Sequence, residues 1–77
     1  SDKGMEYFSK CDFLKNLTWL DLSNNNISDK GMEYFSKCDF LKNLSWLDLI
    51  KNKSNTTAIE RCIENNIQNF PKLNRLN

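Results

Sequence analysis

Leu17-Thr-Trp-Leu-Asp-Leu-Ser-Asn-Asn-Asn-Ile27 is the stretch from which the fold of this chain can be read. Leu20 and Leu22 alternate with Asp21, the period of a short strand with one apolar and one wet side. Ser23 to Asn26 is a run of strong turn formers. Asn25 falls where a side-chain amide can satisfy backbone groups that the turn leaves open. Ile27 returns to the interior.

Working outward, the stretch proves to be part of a repeat. Residues 1–22 and 28–49 agree at 21 of 22 positions, Thr18 against Ser45 being the one difference. Residues 23–27 and 50–54 then share only Asn25 with Asn52. Leu73 and Leu76 stand where Leu44 and Leu47 would, 29 residues on, so a third, diverged unit follows. Each unit reads as helix then strand. Met5, Phe8 and Cys11, then Met32, Phe35 and Cys38, recur at a spacing that lines one helix face. Ser1-Asp2-Lys3-Gly4 is a capping signal, repeated at Ser28 and Asp29. Gly31, in a first helical turn, marks close packing or the bend out of the loop. In the third unit Thr57 and Glu60 fit a capping box. Ile59, Cys62, Ile63, Ile67 and Phe70 continue a helical stripe that Pro71 closes. Strands are expected at Thr18–Leu22 and Ser45–Leu49, and a third begins around Leu73–Asn77.

The spacing LxxLxLxxNxI, followed by Asn25, Ile27, Asp29 and Gly31 as NxIxDxG, resembles the leucine-rich repeat. The helix-bearing form is similar to the ribonuclease-inhibitor-like and cysteine-containing types. The third unit departs from it, with Ser54, Thr56 and Ala58 at the Ile, Asp and Gly places. The resemblance implies an α/β solenoid slice, with a parallel sheet on the concave face and helices on the convex one. One domain over 1–77 is expected, in units of about 1–27, 28–54 and 55–77, as part of a longer chain.

Bulk properties narrow the function. A net charge of +1 with signs interspersed argues against nucleic acid or an anionic membrane as partner. No apolar run approaches a membrane span. Histidine is absent and Gly4 and Gly31 are the only glycines, so neither a catalytic constellation nor a phosphate loop is expected. Without His or a CxxC pair, no metal site or cofactor is expected either. Cys11, Cys38 and Cys62 are odd in number and widely spaced, the pattern of free thiols in a reducing cytoplasm. Asn-x-Ser/Thr triplets at Asn16, Asn26, Asn43, Asn52 and Asn55 leave a secreted location open. Twelve of the residues are Asn, however, so composition alone generates such triplets.

In the family that the chain resembles, side chains between the strand leucines bind partners. Carried over, these are Trp19, Asp21, Ser23 and Asn24, then Trp46, Asp48, Ile50 and Lys51, then Arg75 and Asn77. Asn25 and Asn52 take the structural ladder position. Neighbouring strands lie about 4.8 Å apart, so Trp19 should stack on Trp46 and Asp21 should sit beside Asp48. An aromatic pair flanked by carboxylates suits a protein or peptide bearing Lys or Arg. The alternative is a structural segment that self-associates end to end, both end faces exposing core residues such as Phe8, Leu17, Ile63 and Phe70.

Overall fold

The computed structural model describes residues 1–77. Three helices alternate with three strands: α1 (Asp2–Phe8), β1 (Trp19–Asp21), α2 (Asp29–Ser36), β2 (Trp46–Asp48), α3 (Thr56–Asn65) and β3 (Arg75–Leu76). Short 3-10 turns lie at Asp12–Leu14 and Ile67–Asn69. The strands form one parallel sheet in the order β1-β2-β3. Its register runs Trp19 to Trp46 to Arg75, and Leu20 to Leu47 to Leu76. The repeat offsets of 27 and 29 are therefore also the pairing offsets, as the leucine spacing predicts. The regular strands are shorter than expected. Pairing nevertheless continues past them, through the Leu22 N–H to the Asp48 carbonyl and the Asn24 N–H to the Ile50 carbonyl.

The core fills the space between strands and helices. Leu44, Leu47 and Leu49 come from the second strand segment, and Met32 and Phe35 from α2; all five are buried. Phe35 stacks between Phe8 and Phe70, with ring centroids 6.0 and 5.5 Å away. Such pairs add about 0.5–1.5 kcal/mol each beyond the area they bury.

The helices are shorter than the apolar stripe suggests. Cys11 and Cys38 lie past the ends of α1 and α2. There the Cys11 and Cys38 N–H groups bond back to the carbonyls of Phe8 and Phe35, tightening the exit into an i+3 turn. Nor does α3 reach Phe70. Asn66 leaves helical geometry, and its side-chain amide donates to the Cys62 carbonyl (3.0 Å), satisfying an end group of the helix. Phe70, just before Pro71, is likewise out of helical geometry. The N-cap of α3 is Asn55, whose side chain accepts from the Ala58 N–H at 2.8 Å, not Thr57. Asn is the better cap, and it stands two residues earlier.

The helix starts are also tied between units. Asp2, in the first turn of α1, accepts both the backbone N–H and the hydroxyl of Ser28, the residue that precedes α2. These bonds, the hydroxyl's first, hold the Asp2 carboxyl below its usual pKa. Asp29 repeats the clasp one unit on, accepting from the Ser54 hydroxyl at 2.5 Å. Gly31 is packed against the first clasp. A Cβ there would run into the Asp2 carboxylate and come within 2.8 Å of Ile27 Cγ2. Close approach, of the two readings, is therefore why glycine stands at this place.

Candidate partner-binding surface

Alternation along β1 and β2 turns the leucines inward and their neighbours outward. Leu47 is fully buried, while Trp46 and Asp48 on either side of it are half-buried. Because the units pair without a register slip, the two indoles meet. Their ring centroids lie 4.4 Å apart with planes 7° from parallel, and Trp19 remains 56% exposed. Arg75 takes the same place on β3, so one outward row reads Trp19, Trp46, Arg75. Beside it runs a row of Asp21 and Asp48, which the Asn77 backbone extends by bonding to Leu47 and Leu49.

The carboxylates are less free than the sequence suggests. Asp21 Oδ1 accepts the Ser23 N–H at 2.9 Å, and Asp48 Oδ1 accepts the Ile50 N–H at 3.0 Å. Each Asp thus caps the exit of its own strand, as aspartate does in turns. Bonds from the Ser23 side chain and backbone hold the Asp21 carboxyl below its usual value, so it stays ionised at neutral pH. One oxygen of each carboxylate is therefore committed to the turn that follows its own strand.

Ser23, Asn24, Ile50 and Lys51 fall outside the strand rows, in the turns beyond them. Asn24 and Lys51 occupy equivalent places and both adopt a left-handed backbone, with φ of 58°. Asn tolerates that region better than Lys, so the second turn holds the less favourable residue. Ile50 and Lys51 border a cleft of about 330 Å³ against Glu60 and Asn77, apart from the indole stack. The structure thus brings Trp19, Trp46, Asp21, Asp48 and Arg75 onto adjoining rungs, while Ser23 and Ile50 adjoin only the Asp row, through their N–H groups.

The two ladder asparagines differ in what they hold. Asn52 Oδ1 accepts from the N–H groups of both Asn25 and Ile27, each at 2.9 Å. Its Nδ2 donates to the carbonyls of Leu22 and Leu49, also at 2.9 Å. One carboxamide therefore joins the turns of two units. The Asn25 carboxamide donates only within its own turn, to the Ser23 carbonyl.

The thiols are free. Burial, with smaller contributions from Asp39 and Cys11, pushes the Cys38 thiol up to about 12, and burial also raises Cys62. No helix is long and apolar enough to cross a membrane.

Residues 13–36 match the family model described as Leucine Rich repeat. Comparison with curated proteins and with solved structures gives no match. The matched segment runs from the first 3-10 turn through β1 to the end of α2, one strand-turn-helix passage of the chain. The match supports reading the chain as a leucine-rich repeat protein, a class whose repeats generally mediate protein–protein interaction.

Proposed function

We propose that this chain is a protein–protein interaction module whose strand side, the concave face of a solenoid slice, receives a Lys- or Arg-bearing segment of a partner. The observation that carries the reading is the stacked, outward Trp19–Trp46 pair beside Asp21 and Asp48. A guanidinium over an indole face gains about 0.5–1 kcal/mol at an exposed site, and roughly 2 when water is excluded. The free carboxylate oxygens add charge-assisted hydrogen bonds to the same group. Arg75, on the third rung of the Trp row, favours an acidic group at the other end of the bound segment. Helices behind the sheet support the ribonuclease-inhibitor-like type, and the protein is taken to act in the cytoplasm without enzymatic activity.

Calorimetric titration with two peptides of equal length, one arginine-rich and one glutamate-rich, tests the reading. The arginine-rich peptide should bind, and Trp46→Ala combined with Asp48→Asn should abolish the binding. Equal affinity for both peptides, or binding unchanged in the double variant, would refute a site on this face.

A further inference from the structure

The candidate surface repeats itself. Trp19 and Asp21 on β1 pair with Trp46 and Asp48 on β2, so a Lys or Arg side chain meets the same aromatic and the same carboxylate on either strand. These four residues hold a basic group without fixing which rung it takes, and specificity is a difference in affinity between such placements. The equivalence ends past the strands. Ser23 and Asn24 follow Leu22, whereas Ile50 and Lys51 follow Leu49. The turn Ser23–Asn26 carries no charge, while Ile50–Lys53 carries two lysines.

We propose that Ile50 and Lys51 fix the register of the bound segment, by taking an aliphatic and then an acidic side chain that lie beyond its Lys or Arg. The inference rests on the reading of the Trp face as a binding surface and adds what that face selects. Position supports it first. Leu49 is buried and Ile50 exposed, so the alternation of β2 runs one step further and sets Ile50 on the outward side, after Trp46 and Asp48. Successive outward residues of a strand stand about 6.7 Å apart, the same step that separates alternate side chains of an extended ligand. With the basic group on Asp48, a residue two places along the ligand therefore reaches Ile50. On the first rung the same residue would meet the Ser23 hydroxyl. Backbone geometry supports it second. Lys51 and Asn24 share a φ of 58°, a region that suits Asn and not Lys. Asn24 shows what the turn itself requires, and an unfavourable residue kept at such a place points to a role outside folding. Glu60 lines the same cleft, yet the ion pair in the molecule is Lys37 with Glu33, and the Lys51 ammonium has none. An acidic side chain of the ligand supplies one.

Calorimetric titration of the full chain with two peptides of equal length tests the proposal. Both carry one central arginine. The first has Leu two residues and Asp four residues to either side of it, and the second has Ser and Asn at those places. The first should bind about tenfold more tightly, the effect of one aliphatic contact and one exposed ion pair. Ile50→Ser combined with Lys51→Asn puts the first unit's own residues into the second turn and should remove that preference. The urea midpoint of this double variant should not fall, because Asn suits the left-handed backbone better than Lys. Equal affinity for both peptides in the unaltered chain, or a preference that survives the double variant, would overturn the inference and leave the Trp–Asp site standing. A double variant that loses its fold would assign these residues to the turn and overturn it too. If neither peptide binds the unaltered chain, the binding surface fails and the inference with it.

Discussion

Residues 1–22 and 28–49 are almost the same text in two settings. The first copy has one neighbour and the second has two. Phe13 is 75% exposed and Phe40 8%; Leu17 is half-buried and Leu44 fully buried. Local propensity cannot separate the copies, because their sequences agree. What differs is the neighbour each has been given. In a stack of units, stability therefore resides in the interfaces more than in the units, as nearest-neighbour behaviour requires.

Paired substitutions can break that comparison. The largest difference should come from the aromatic pair. Phe40→Ala removes a buried ring and should cost about 3 kcal/mol, whereas Phe13→Ala in dilute, monomeric protein should stay within about 0.5 kcal/mol. Urea denaturation of the two variants measures both, and equal losses would mean that the units do not stack in this order. The ladder asparagines should differ next. Asn52→Ala deprives two N–H groups and two carbonyls of their partner and should cost about 2 kcal/mol, against a few tenths for Asn25→Ala. Similar values from the same measurement would show that the bridging carboxamide contributes little.

A smaller contrast separates the thiols. Cys11 is half-exposed, while Cys38 is buried and its thiol held at about 12. Because the thiolate is the nucleophile, iodoacetamide at mildly alkaline pH should modify Cys11 well before Cys38, by mass mapping. Reaction of Cys38 at the rate of Cys11 would place that side chain outside the core. The smallest effect concerns Asp21. Its carboxyl is depressed by bonds from Ser23, so it contributes stability above its unfolded pKa near 3.8, which is lost as pH falls through the lower folded value. NMR titration should find Asp21 below 3.8, and Ser23→Ala should bring it back toward the usual value. A titration unaffected by Ser23→Ala would remove the side-chain bond from the explanation.

Much of this arrangement can be read from the chain itself, because the repeat converts sequence offset into spatial register. The leucine spacing gives the strands, the offsets of 27 and 29 give their pairing, and pairing gives the indole stack. Features that depend on contacts between units are harder to read. The Asp2–Ser28 and Asp29–Ser54 clasps join residues that no local motif connects. Thr57 and Glu60 imitate a capping box, yet Asn55 caps α3. Ile63 and Phe70 look like an open end in the sequence. They are covered because α3 is the longest helix and Phe70 packs on Phe35. In the candidate site, the rows of Trp and Asp follow from alternation. The diversion of one oxygen of each Asp into its own turn does not, since it depends on backbone geometry past the strand end.

Proton–proton Overhauser contacts between the two indoles bear most directly on the in-register stacking of the units. With ring centroids 4.4 Å apart and planes 7° from parallel, ring protons of Trp19 and Trp46 lie within reach of one another. Cross-peaks between the two indoles are expected, and Trp19→Phe should shift the Trp46 ring protons with the fold retained. If no cross-peak joins the two indoles in the folded chain, they do not occupy adjoining rungs, and the register on which the binding surface depends is wrong.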